Sequence, residues 1–443
     1  MTQSNGVPAP RGTAAEDEVA SLASDLIRID TSNRGDHSGP GERAAAEHVA
    51  ALLADAGIEP RIFESHEKRA SVVARIEGTD PARPALLIHG HLDVVPADAA
   101  DWRVHPFSGE ISEDCVWGRG AVDMKDMDAI ILAVLRQRLA EGRRPARDVV
   151  LAFLADEEAG GTWGARWLVD NHPGEFDGVT EAIGEVGGFS VTLGDQRLYL
   201  IQTAEKGMAW MRLTAHGTAG HGSMINKDNA VTEVAEAVAR IGRHEWPFRE
   251  TEAAFEFARQ ASSALGIEFD PADPAAVLAK LGPIAKMVGA TLTHTANPTM
   301  LSAGYKVNVV PQTAAAQVDG RFLPGYEADF FSEIDALLGP GIRREQVQHD
   351  VALETSFDGD LVAAMAAALH AEDPDGRMVP YCLSGGTDAK SFARLGIRCF
   401  GFTPLRLPPD LDFAGMFHGV DERVPVGALQ FGVRVLDNFL DLC

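Results

Sequence analysis

HGHLDVVP, residues 89–96, follows the apolar run ALLI at 85–88, and its reading decides how the rest of the chain is understood. A buried strand that ends on His91 and Asp93 sets side chains able to bind metal where strand gives way to loop, the place where open α/β sheets form their sites. Two other stretches repeat the arrangement. LADEEAGG, 154–161, brings Glu157 and Glu158 in after the apolar DVVLAFLA, and GRGAVDMKD, 118–126, carries Asp123 at the start of a long helical pattern. A carboxylate pair beside a histidine is what metal-assisted hydrolysis requires, one carboxylate to bind the metal and one to move a proton. A lone histidine at a strand end is usually structural, and a Glu-Glu pair is usually a solvated face. Here the flanking runs are apolar, and five residues occupy equivalent strand-end or helix-start positions, so the chemical reading outweighs the bland one.

Outward from these stretches, periodicity predicts two opening helices, in EDEVASLASDLIRID and GERAAAEHVAALLADAG. Short strands follow in RIFES, SVVARIEG and PALLIHGHLD, then a helix in MDAIILAVLRQRLAEG and a strand in DVVLAFLA. Strands alternating with helices of that length predict an α/β fold with a mostly parallel sheet. RLYLIQTAEKGMAWMRLTAHG is long enough to leave one sheet and enter another. From about 205 the order becomes βαββαβ, interrupted by an irregular insertion near 245–297, which predicts an inserted α+β unit of the split βαβ, ferredoxin-like kind. The expected division is a catalytic domain at 1–204, an inserted dimerisation or lid domain at 205–356, and the rest of the catalytic domain at 357–443.

Composition sets outer bounds. At 443 residues the chain is long enough for two domains, and 45% hydrophobic with 23% charged residues is ordinary for a globular protein. A formal charge of −26 repels phosphate backbones and anionic lipid, which argues against nucleic acid and membrane as partners. Bound metal would offset part of it. The beginning of the chain has no basic stretch followed by an apolar one and reads as a short floppy leader of a protein that is not secreted. Cys115, Cys382, Cys399 and Cys443 have no CxxC spacing, so a reducing cytoplasm is the plain reading.

HGHLDVVP, GRGAVDMKD, the Glu157–Glu158 pair, GEVGGF, TAGHGS, KVNVVP, DGRFLP, SGGTDAKSF and MFHGVDERVP stand in the order and about the spacing of the M20 family of co-catalytic metallopeptidases, which the chain resembles from about residue 20 to its end. That family includes aminoacylases, deacetylases, desuccinylases, carboxypeptidases and dipeptidases. The resemblance implies two zinc ions per subunit, with cobalt or manganese also accepted by such ligands. By the same resemblance Asp123 bridges the metals, His91 and Glu185 complete one, and Glu158 and His418 complete the other. Glu181, four residues before Glu185, is the competing carboxylate. Asp93 resembles the residue that orients His91, and Glu157 the general base that takes a proton from the bridging water.

The resemblance further implies that His221 reaches into a partner subunit's site to hold the oxyanion, with His216 as the neighbour most easily confused with it. It also implies that Asn308, Arg321 and the turn Gly385, Gly386, Thr387 contact the substrate, Arg321 through its carboxylate. Asp126 departs from the family, which commonly has glycine there, and is expected to cap the helix or face solvent. The function so implied is hydrolysis of the amide or peptide bond of N-acyl amino acids or short peptides with a free carboxylate, by a homodimer. An inactive binder of the same fold is the alternative, although no ligand or base is missing. A phosphoester hydrolase is disfavoured because no basic phosphate cluster accompanies the ligands.

Overall fold

The computed structural model describes residues 13–36, 38–281 and 284–443. The stretch 1–12, where most of the expected leader lies, falls outside them; at Thr13 the chain is already capping a helix, Ala14–Arg28. Its hydroxyl accepts from the Glu16 amide while the Glu16 carboxylate takes the Thr13 amide.

Among the described residues, ten strands form one mixed sheet whose four central members, Val149–Leu154, Ala85–His91, Val179–Gly184 and Arg398–Gly401, run parallel. Val149–Leu154 and the first half of Ala85–His91 are uninterrupted apolar runs because both faces are covered, while Val179–Gly184 and Arg398–Gly401 carry polar residues, Thr180, Glu181 and Arg398, toward the sheet's other rim. Alternation decides which face each residue serves: Leu86 and Ile88 join the cluster built with helices Ala14–Arg28, Lys125–Ala140 and Val426–Leu442, while Ala85 and Leu87 join Leu168 and Phe392 in a second cluster. Strands Arg61–His66 and Arg69–Ile76 extend the sheet antiparallel on one side. On the other side Gln196–Glu205 takes Gly376–Leu383 as a parallel neighbour. That last strand, GRMVPYCL, is not visible to periodicity, since it carries a proline and lies between a helix and a glycine-rich turn.

The long segment that was expected to change sheets does so at one residue. Gln196–Glu205 belongs to the large sheet and Gly207–His216 to a four-stranded antiparallel one, ordered Thr295–Ala303, Thr313–Phe322, Gly207–His216, Ile342–Asp350. Helices Ala230–Gly242 and Glu327–Leu338 cover it, burying Val234, Ile241, Phe330 and Ile334 against Met211, Leu213 and Val318. The chain returns immediately: Asp350 pairs with Met208, and Leu353 already pairs with Glu205 in the large sheet.

The segment near 245–297 differs from its expectation. It is not irregular but forms helices Glu252–Ala264, Ala275–Leu278 and Ile284–Gly289. Phe257, Ala261, Val277, Leu281 and Val288 bury themselves in the core of the large-sheet unit, not in that of the four-stranded one. Its apolar residues are sparse enough in sequence to hide the period, and tertiary burial supplies the helix stability that propensity does not.

Candidate metal centre

Three of the parallel strands end at one place. His91 closes Ala85–His91, Glu157 and Glu158 follow Val149–Leu154, and Glu185 follows Val179–Gly184, while Asp123 stands just ahead of helix Lys125–Ala140 and His418 comes from a loop near the C-terminus. The His91 Nε2 lies 3.0 Å from Asp123 Oδ1 and 3.4 Å from Glu185 Oε2. The His418 Nε2 lies 3.3 Å from Asp123 Oδ2 and 3.0 Å from Glu158 Oε2. Asp123 therefore turns one oxygen to each imidazole, and each imidazole has a carboxylate of its own. The competing Glu181 is at the other end of its strand, its carboxylate 2.9 Å from Arg147 and 3.6 Å from Arg398.

So dense a set of buried acids is costly without cations. Burial and the neighbouring Glu185 push the Glu157 carboxyl well above the usual carboxylate range, and burial takes Glu185 up to about 7. Burial likewise would raise Asp123, but hydrogen bonds from His418 and His91 hold it well below its ordinary value. Burial would also lower His91, yet the Glu185, Asp123 and Glu157 carboxylates overcome it and hold the imidazole well above its usual range. Hydrogen bonds to Asp123 and Glu158 push His418 up to about 10. Divalent cations would offset this concentration of buried carboxylates. The donor atoms of His91, Asp123 and Glu158, and those of His91, Glu157 and Glu185, each lie within 4.8 Å of one another, and imidazole nitrogen with carboxylate oxygen is a donor set suited to zinc and its neighbours.

The scaffold behind these ligands is specific. Asp93 reaches His91 in two ways: its backbone carbonyl accepts from Nδ1 at 2.9 Å, and its carboxylate stands 3.6 Å from the same nitrogen. The carboxylate also accepts the amides of Glu157 and Glu158, at 3.0 and 3.1 Å, and Asn33 Nδ2 at 2.8 Å, so it pins the turn that carries the two glutamates. Asn33 in turn accepts from the buried Arg69, which pairs with Glu42. Glu422 does the same for the other side: it bonds Arg119 and the Gly120 amide, tying the His418 loop to the Asp123 loop. Neither Asn33 nor Glu422 carries a sequence signal beyond lying near a motif. Asp156, Val186 and His418 all have positive φ, between 51° and 68°, an uncommon conformation for residues with side chains; Asp156 precedes Glu157, Val186 follows Glu185, and His418 is itself one of the clustered residues.

A cavity of about 480 Å³ opens on the site, within the usual range for a ligand pocket. Asp123, Glu157, Glu158, Glu185 and His418 line it together with Gly385 and Gly386, and sequence reasoning missed its apolar wall of Val186, Leu383 and Phe417. Thr387 does not face it: its amide and hydroxyl both bond the buried Glu205 carboxylate. His221, Asn308 and Arg321 are also absent from its wall. Exposed His221 pairs with Val309, its Nδ1 2.8 Å from Ser223 Oγ, and the Arg321 fork is held by Asp319 at 2.7 and 3.2 Å. His216 sits at a strand end against Thr313. Asp126 neither caps its helix nor faces solvent. It is 1% exposed and makes no side-chain cap, because the helix packs that first turn into the core beside Glu185 and Val186.

Residues 87–442 match the family model of Peptidase family M20/M25/M40. The chain belongs to that family. It is a metallopeptidase-type hydrolase of amide or peptide bonds, and the mixed α/β architecture is the M20 one. Among its relatives, N-fatty-acyl-amino acid synthase/hydrolase PM20D1 of Xenopus tropicalis is 28% identical over 415 residues, covering 86% of this chain and 78% of that protein. Aminoacylase-1 of Sus scrofa is 27% identical over 373 residues, covering 82% of this chain and 81% of that protein. Of solved structures, the M20 family metallo-carboxypeptidase Sso-CP2 of Sulfolobus solfataricus superimposes with a TM-score of 0.71 at 19% identity, over 96% of this chain and 99% of that one. Among the described residues no helix is long and apolar enough to cross a membrane.

Proposed function

We propose that this M20 member hydrolyses the amide bond of N-acyl amino acids or short peptides that carry a free carboxylate, using two divalent cations, zinc in the first instance. The observation that carries the reading is Asp123 standing between His91 and His418 with one oxygen toward each. His91 and Glu185 with Asp123 would hold one ion, and His418 and Glu158 with Asp123 the other. Glu157 competes for the first place; Glu185 stands nearer His91 Nε2, at 3.4 Å against 3.9 Å, which supports giving the ligand place to Glu185 and proton transfer to Glu157. Two such ions supply Lewis-acid polarisation of a carbonyl and a lowered water pKa. Glu157 takes the proton of the attacking water and delivers it to the leaving nitrogen, a task for a carboxylate that lines the cavity beside the proposed ligands. The names of the relatives, an N-fatty-acyl-amino acid hydrolase and an aminoacylase, support this substrate class. Release of ninhydrin-reactive amine from a panel of N-acyl amino acids and dipeptides, abolished by chelator and restored by zinc, cobalt or manganese, is the expected result. Binding of those compounds without amine release at any metal loading would instead establish an inactive binder.

Arg321 is proposed to read the substrate carboxylate, its fork kept in order by Asp319 until the substrate arrives. Arg321→Lys should lower kcat/KM by at least about tenfold for substrates with a free carboxylate, since lysine cannot present two parallel donors, and should change an amidated analogue little. Equal losses on both would refute carboxylate recognition.

The site is proposed to be completed across a homodimer. On the four-stranded unit, the edge strand Thr295–Ala303 and its neighbouring loops expose Met224, Ile225, Met300, Leu301, Tyr305 and Val307, all more than 60% accessible, around His221 and Asn308. Apolar side chains on a free sheet edge favour strand pairing about a two-fold axis. Mixing inactive His221→Ala with inactive Glu157→Gln protein and allowing exchange should restore up to about a quarter of wild-type activity, because each hybrid then has one intact site. Confirmed exchange with no recovery places His221 in its own subunit's chemistry or in none. Four unpaired thiols support a reducing, cytoplasmic setting.

A further inference from the structure

Two consecutive residues at the crossing between the sheets, Glu205 and Lys206, are both 0% exposed, and their side chains are bound to different parts of the molecule. The Glu205 carboxylate turns to the cavity loop. It accepts the Thr387 hydroxyl at 2.6 Å, the Thr387 amide at 3.0 Å and Gln202 Nε2 at 3.1 Å, with Lys390 Nζ 3.9 Å away. The Lys206 ammonium turns the other way, donating to the Ala290 and Thr293 carbonyls, in the connection from helix Ile284–Gly289 to the edge strand, at 2.8 and 2.9 Å, and to Thr295 Oγ1, where that strand of the four-stranded unit begins, at 3.3 Å. Backbone bonds close the clasp: the Lys206 amide donates to Leu383, and Lys390 Nζ donates back to the Lys206 carbonyl at 2.7 Å. Opposite directions for neighbouring residues follow from the pleat of an extended chain.

Leu383, Ser384, Gly385 and Gly386, which these bonds hold in place, wall the cavity beside Glu157, Glu158 and Glu185. Two apolar side chains would close a strand crossing without the desolvation cost of two buried ionisable groups, but they could not impose directed bonds on both neighbours. We propose that Glu205 and Lys206 are positioning residues that couple the orientation of the four-stranded unit to the placement of the 383–387 cavity loop, through Thr387. The inference rests on the proposed hydrolytic reading only for its kinetic readout.

Thr387→Val, which keeps the shape of the side chain and removes the hydroxyl donated to Glu205, should lower kcat by about 10²-fold, the cost of a loop displaced by about 1 Å. KM should stay within about threefold, the content of two metals should be unchanged, and Thr387→Ser should bring kcat back to within about threefold of wild type. A merely structural threonine would lower the melting temperature in Thr387→Val and leave kcat alone, which overturns the proposal. The second experiment needs no activity. Lys206→Met, or the milder Thr295→Val, alters bonds only at 290–295, yet it should speed amide hydrogen exchange in peptides covering 383–390 by about tenfold while strand 149–154 keeps its protection. Faster exchange confined to 284–297 overturns the coupling. Absence of turnover by the unaltered protein on every amide substrate would sink the functional reading and leave the exchange experiment to decide this one.

Discussion

Glu157→Gln should retain both metals and its fold while losing about 10²–10⁴-fold in kcat, the range for a general base. The turn that carries residue 157 is fixed by its own amide, which bonds Asp93, so the backbone does not depend on the side chain. Glutamine has nearly the volume of glutamate and cannot accept a proton at neutral pH. Its Nε2 also cannot replace a carboxylate as the destination of the water proton, and His91, engaged as a ligand in the metal-loaded protein, offers no substitute. Elemental analysis beside steady-state kinetics checks the result. A variant with one metal gone and the remaining activity high would exchange the roles of Glu157 and Glu158.

Asp123→Ala should lose both metals together and, with them, all measurable activity. The reason is the geometry of one carboxylate between two imidazoles: its removal takes a donor from each place at once and leaves His91 and His418 with one carboxylate apiece. His418→Ala should be gentler, weakening chiefly the ion it shares with Glu158. Its side chain is 55% exposed against 1% for His91, so deletion leaves no buried gap. Titrating zinc into each metal-free variant by calorimetry separates the cases. Equal stoichiometry in the two would undo the bridging assignment.

Much of this was legible in the order of residues because the chemistry lies at strand ends. A parallel strand buried on both faces reads as a plain apolar run, and whatever polar residues follow it must emerge at the rim of the sheet. That logic reaches His91, Glu157 and Glu158, whereas Glu185, after the strand Val179–Gly184 with its Thr180 and Glu181, was implied only by the family resemblance. It fails for residues that act through a partner distant in sequence. Asp93 is adjacent to His91 along the chain, yet its carboxylate serves the 157–158 turn some sixty residues away. Thr387 belongs to a glycine-rich turn that faces the cavity, yet its hydroxyl is taken by Glu205. Asp126 sits where a helix start is ordinarily solvated, and its burial follows from packing against a neighbouring loop that its own sequence does not mention.

The same division holds for the fold. Local pattern was enough for the alternation of strands and helices, the βαββαβ order of the second unit and the place where one long strand changes sheets, since periods of two and 3.6 residues are properties of a single segment. Local pattern was not enough for the helices between 252 and 289, whose apolar residues find their partners in the core of the large sheet, or for the strand Gly376–Leu383, which is a strand because Gln196–Glu205 lies beside it. The candidate ligands could be named from strand-end position together with the family resemblance. Which oxygen of Asp123 faces which histidine, and which of two adjacent glutamates stands nearer His418, depends on distances between loops more than thirty residues apart, and those are set by how the layers pack.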